Sequence, residues 1–167
     1  MVSMGSHLGK VLTNDENLEI NLQGWESHLD TISNPKGSDT NIARYFVRLD
    51  VVATKYTLYI PVSIASGRVS TGFVYQIEGT GEAIASATIA SQGKDTTRVT
   101  FGSIEYCKIP PGKIASFKII TKVKGKRPKK YKFVLSRINY KLNPNDSRYK
   151  RVLTEISTDF IQLRRDS

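Results

Sequence analysis

From Lys113 onward, Ala115, Phe117, Ile119, Thr121 and Val123 fall on one side of an extended chain, and Ser116, Lys118, Lys122 and Lys124 fall on the other. A period of two marks a half-buried strand, because successive side chains point to opposite faces of a sheet. A second such run starts at Tyr131. Tyr131, Phe133 and Leu135 hold one phase and Ile138, Tyr140 and Leu142 hold the opposite one, so a residue near Ser136 or Arg137 must leave the register as a β-bulge. Between the runs Gly125 accepts positive φ and Pro128 has no N–H to donate. The spacing predicts one β-hairpin over residues 113–142, with an exposed loop at a sheet end.

The same reading extends upstream. Tyr45, Val47, Leu49 and Val51 alternate with Phe46, Arg48 and Asp50, and Tyr56, Leu58 and Ile60 follow a turn at Thr54 and Lys55. Pro61 predicts a strand end or an edge. Phe73, Tyr75 and Ile77 form the next run, closed by a Gly79-Thr80-Gly81 turn. The small residues from Ala83 to Ala90 are read as strand rather than helix, because Thr88 and Ile89 are β-branched and the segment is short. Arg98 to Phe101, then Ile104 and Tyr106, then a Pro110-Pro111-Gly112 turn lead into the predicted hairpin, and Thr158 to Leu163 forms a last strand. Seven to eight strands at roughly 10-residue spacing predict an all-β fold, a single antiparallel β-sandwich.

The first forty residues differ. Leu18, Ile20 and Leu22 alternate toward Trp25 and predict one short strand at an edge, while Ser33 to Thr40 is turn chemistry. The expected organisation is residues 1–10 as a vector-derived remnant, given the Met-Gly-Ser-His string, 11–40 as an N-terminal extension packed on the sandwich, and 41–165 as the sandwich domain. A targeting segment removed with the native start would place the protein outside the cell or on its surface. One domain suits 167 residues, and no run approaches the ~18 apolar residues of a membrane span.

Charge changes the picture more than composition does. The net charge is +10, but residues 1–105 hold 8 Lys/Arg against 11 Asp/Glu, whereas residues 106–167 hold 17 against 4. Seven cations with no acid among them lie between positions 122 and 132: Lys122, Lys124, Lys126, Arg127, Lys129, Lys130 and Lys132. With Arg137, Lys141, Arg148, Lys150 and Arg151 they are the candidate contacts to an anionic partner, by non-specific attraction. Lysines on exposed strands also block sheet-to-sheet aggregation, which accounts for the same charges without a ligand.

The succession "FVRLDVVATKYTLYIPVS", "GFVYQIEG", "ASATIASQG", "IPPGKIASFKIITKV", "YKFVLSRINYKL" and "STDFIQL", over residues 43–163, resembles an immunoglobulin-like β-sandwich module of exported bacterial surface proteins. Tyr59-Ile60-Pro61 and the paired "SFKI" and "YKFVLSRI" strands carry most of the likeness. The resemblance implies a structural or adhesive role and brings no catalytic motif. Such modules are acidic or neutral with Gly/Ser/Thr loops where this chain has Lys124 to Lys132, so no binding residue is carried over.

Catalytic patterns are missing from the sequence: it has no HExxH, GxSxG, Walker A or GxGxxG string, and only two histidines, His7 and His28. Neither a cofactor nor a metal is expected. Glu26, His28 and Asp30, spaced by two, are read as solvated, Asn143 to Asp146 as an Asx turn, and Cys107, the lone cysteine, as a buried small hydrophobe. The expected function is therefore non-enzymatic: a structural or adhesive module whose basic surface meets an anionic polymer or an acidic protein surface. The alternative is a nucleic-acid-binding protein that uses the basic C-terminal portion; Tyr131, Phe133 and Tyr140 lie near it for base stacking, but their alternation points them toward the core at least as readily. A small viral capsid-type protein fits the size and basicity, although its arm would be basic where this N-terminus carries Asp15, Glu16 and Glu19.

Overall fold

The computed structural model describes residues 2–4, 8–33, 35, 40–67, 71–79, 83–125 and 129–163, and within them every regular element is a β-strand. In chain order these are β1 (Val2–Met4), β2 (Gly9–Val11), β3 (Leu18–Ile32), β4 (Thr40–Ala53), β5 (Leu58–Pro61), β6 (Ile64–Ser66) and β7 (Phe73–Gly79). They continue with β8 (Ala83–Gln92), β9 (Thr97–Phe101), β10 (Ile104–Ile109), β11 (Ile114–Gly125), β12 (Lys129–Tyr140), β13 (Lys150–Ser157) and β14 (Ile161–Leu163). A front sheet runs β1-β3-β4-β11-β8 with β2 also on β3, a back sheet runs β13-β12-β7-β6 with β14 also on β12, and a small sheet runs β5-β10-β9. Pairing is antiparallel except between β6 and β7.

The alternation decides the layering. Tyr45, Val47, Leu49 and Val51 of β4 and Phe117 and Ile119 of β11 share one buried cluster with Phe73 of β7 and Tyr131, Phe133 and Leu135 of β12. Rings cross the gap between sheets, Phe73 to Phe117 at 4.8 Å and Tyr45 to Phe133 at 6.3 Å between centroids, a spacing at which aromatic pairs attract. The all-β, sandwich-like layering follows the sequence, but the strand count does not. Among the described residues there are fourteen strands in three sheets, where one sandwich of seven or eight was expected. Strands of three or four residues, such as β2, β6 and β14, are too short to display alternation.

The expected hairpin is not one. Both of its strands form, but β11 pairs with β4 and β8 in the front sheet, while β12 pairs with β7, β13 and β14 in the back sheet. The chain arches across the core instead of folding back in one sheet. Alternation fixes which face is buried and leaves the neighbour open.

Two register shifts shape the sheets. The predicted bulge lies between Leu135 and Arg137, against both β7 and β13. The second, between Leu22 and Gly24, lets Leu18, Ile20 and Leu22 and then Trp25 all face the core. β3 is thus a 15-residue strand paired along β4 and flanked by β1 and β2, rather than a short edge. β13 was not foreseen, although Val152, Thr154 and Ile156 alternate into the core. The segment from Ala83 is a strand, as expected, and Pro61 ends β5 at an edge of the small sheet. Residues 34 and 36–39 of the predicted loop, and Thr80 and Gly81 of the predicted glycine turn, lie outside the described residues.

Candidate polyanion interface

β4 and β11 pair without a break from Ile42 opposite Lys124 to Val52 opposite Ile114. Because their odd-numbered residues face the core, Arg44, Phe46, Arg48 and Asp50 of β4 and Ser116, Lys118, Ile120, Lys122 and Lys124 of β11 share the outer face of the front sheet. The register sets Lys118 opposite Arg48 and Lys122 opposite Arg44, with Ile120 opposite Phe46 between them. The Arg48–Lys118 pair sets like charges directly opposite, an arrangement that costs stability, whereas Arg44 is matched by an acid.

The acids on and beside this face have partners of their own. Asp30 binds Arg44 at 2.7 Å, Glu26 lies 3.2 Å from His28, and Asp50 accepts hydrogen bonds from Ser116 Oγ at 2.7 Å and Gln23 Nε2 at 3.1 Å. Arg48, Lys118, Lys122 and Lys124 are left without an acidic partner among the described residues. Arg48 and Lys118 also form the shared wall of two open depressions. One, of ≈590 Å³, adds Gln23, Asp50, Gln92 and Ser116; the other, of ≈210 Å³, adds Leu8, Trp25, Glu26 and Phe46. Cationic groups flanked by amides and a hydroxyl suit the charge and the hydrogen-bonding oxygens of a polyanion.

Of the twelve residues singled out from sequence, those described do not form one patch. Lys122 and Lys124 lie on the front face, while Lys130 and Lys132 belong to the outer face of the back sheet, because the chain arches between them. Lys132 is held by Glu78 at 3.4 Å and lies 5.0 Å from the centre of the Phe160 ring. Arg137 is half-buried in the bulge. Lys141 is 9% exposed, with its ammonium 4.6 Å from the Tyr149 ring centre and 5.9 Å from that of Tyr106, a cation–π cage that occupies its charge internally. Arg148, Lys150 and Arg151 are exposed, the last two beside a groove of ≈830 Å³ between β13 and residues 12–17. Lys126, Arg127 and the side chain of Lys129 lie outside the described residues. Sequence reading passed over Arg44, Arg48 and Lys118 as site residues. Their alternation was visible, but the β4–β11 register that gathers them was not.

The remaining chemical candidates are placed as structure. Glu26 and His28 pair with each other and Asp30 with Arg44, and among the described residues no three His, Cys, Asp or Glu side chains gather as metal ligands. Asn145 N donates to Asn143 Oδ1 at 2.9 Å, which closes the expected Asx turn. Cys107 is buried on β10, and burial pushes its thiol pKa up against hydrogen bonds from Ser91 and Thr96 and the charge of Arg98. Tyr131, Phe133 and Tyr140 are core residues, so they offer bases no stacking surface. No described helix is long and apolar enough to cross a membrane. Compared with known protein families and with curated proteins, the chain matches none.

Proposed function

We propose that this protein is a non-enzymatic structural or adhesive module that holds an anionic polymer against the outer face of its front sheet. One observation carries the reading: Arg48, Lys118, Lys122 and Lys124 are exposed on two paired strands, in register, with no acidic partner among the described residues. Like charges opposite one another lower stability, and that cost is offset when a polyanion lies over them and releases its counterions. The cations are spread over a sheet face rather than gathered in an enclosed cleft, which suits a long, repetitive ligand better than a small substrate. The resemblance of residues 43–163 to immunoglobulin-like modules of bacterial surface proteins agrees with an adhesive role, and an acidic cell-surface polysaccharide is the ligand class we favour.

The test is binding across a salt series to a sulfated polysaccharide, polyglutamate and single-stranded DNA. The variant Arg48→Ala/Lys118→Ala/Lys122→Ala should bind the polysaccharide more weakly and flatten the log–log salt dependence by about 2–3. Lys130→Ala/Arg148→Ala/Arg151→Ala should leave it unchanged. Retention of none of the three polymers would end this reading, and a marked preference for single-stranded DNA would replace it with nucleic-acid binding.

A further inference from the structure

Sheets that end in open strands expose backbone N–H and C=O groups to any passing strand, and folded proteins guard such edges with shortness, charge, proline or bulges. This protein guards its other outer strands in those ways. β6 is three residues long, β5 is four and ends in Pro61, β9 carries Arg98, and β13 carries Lys150, Arg151 and Glu155 with a bulge. β1 and β2, on the far side of the front sheet, are three residues each.

β8 has none of these protections. It is ten residues long, AIASATIASQ, without a charge or a proline, and it pairs with β11 in unbroken register from Ala83 to Gln92. No strand is hydrogen-bonded to its other edge among the described residues, although β6 of the back sheet lies close to it. Ile84 on its outer face is 77% exposed. On its inner face Ala85, Ala87 and Ile89 pack against the core yet are only partly buried.

We propose that β8 pairs antiparallel with β8 of a second copy of this chain, joining two front sheets into one. A foreign strand would find no charge on this edge to read, whereas a second β8 matches it in length, polarity and face. With Thr88 opposite Thr88, Ala87 meets Ile89 and Ser86 meets Ala90, and the half-covered inner residues of each copy continue the core of the other. Net charge opposes association of two +10 chains, but the seam itself is neutral. The nearest lysine-bearing strands, β11 of each copy, would lie three strand spacings apart, roughly 14 Å, beyond the ~8–10 Å screening length at moderate salt. The joined sheet presents two copies of the Arg48–Lys118 face on one surface, which favours a repetitive ligand by multivalency. The pairing itself does not depend on that ligand.

Sedimentation velocity from low micromolar to millimolar protein tests this. The wild type should shift from monomer to dimer with concentration, because one strand pair is a small interface. Thr88→Lys/Ala90→Lys, which sets like charges across the seam on the solvent face, should stay monomeric with an unchanged circular dichroism spectrum. Ile84→Lys, at an already exposed position, is the second variant and should weaken the dimer at least tenfold even where the double variant folds poorly. A wild type that stays monomeric throughout, or a dimer untouched by Ile84→Lys and by the folded double variant, would overturn the proposal.

Discussion

The hydroxyl of Tyr45 in β4 donates to the main-chain carbonyl of Tyr131 in β12, 2.5 Å away, and so joins the front sheet to the back sheet inside the core. Both residues are at most 1% exposed. Tyr45→Phe keeps the ring and its contact with Phe133 but leaves that carbonyl without this donor. We expect a loss of about 1–2 kcal/mol in urea unfolding with no change in polyanion binding. An unchanged unfolding midpoint would show that the link adds nothing.

Burial raises the pKa of the phenols of Tyr45, Tyr140 and Tyr149 above the ordinary 10.0; the bond Tyr140 donates to Asp15 and the neighbouring Tyr106 phenol add to the last two shifts. A group that binds its proton more tightly when folded contributes its stability in full below its unfolded pKa, and that contribution is lost as pH rises through the folded value. The Cys107 thiol, raised by burial from 9.0, acts in the same direction. Urea midpoints should therefore hold to about pH 9 and fall ever more steeply above about pH 10. A flat profile through pH 11 would contradict the burial of these groups.

Thr121 is fully buried in β11, and its hydroxyl has no hydrogen-bond partner among the described residues. Thr121→Val exchanges that hydroxyl for a methyl of similar size between Tyr45 and Ala87. Stability should rise by about 1 kcal/mol, read from the thermal or urea midpoint, because an unpaired buried polar group is removed. A decrease would mean that the hydroxyl is bonded in solution.

Glu155 has φ 48°, a left-handed conformation, where the chain of β13 adjusts to the bulge in β12 and Thr154 donates to the Leu135 carbonyl at 2.6 Å. Glu155→Gly should raise stability by about 0.5–1 kcal/mol, and Glu155→Val should lower it. Equal midpoints for the two variants would show that the left-handed backbone is not retained.

What was legible in the chain was local. The phase change from Leu135 to Ile138 located the bulge, alternation in β4 and β11 assigned the buried faces, and β-branched Thr88 and Ile89 marked β8 as strand. The neighbour of each strand was not legible. β11 and β12 follow one another and look alike, yet they belong to opposite sheets, and that single difference puts Lys122 and Lys124 on one face and Lys130 and Lys132 on another. The phase break between Leu22 and Trp25 carried the same kind of signal as the one at Ser136 and would have lengthened β3. Lys141 gave no warning of its burial, since its aromatic cage is assembled from Tyr106, 35 positions away, and Tyr149.

The outer face of the front sheet as the polyanion contact is tested most directly by lysine reactivity, read by mass spectrometry after brief treatment with an amine-specific reagent, with and without a saturating sulfated polysaccharide. Lys118, Lys122 and Lys124 should be protected severalfold on binding, Lys55 and Lys130 should react alike in both states, and Lys141 should react slowly in both, since its ammonium is already enclosed. Protection centred on Lys130 and Lys150, with Lys118 and Lys122 unchanged, would contradict the account.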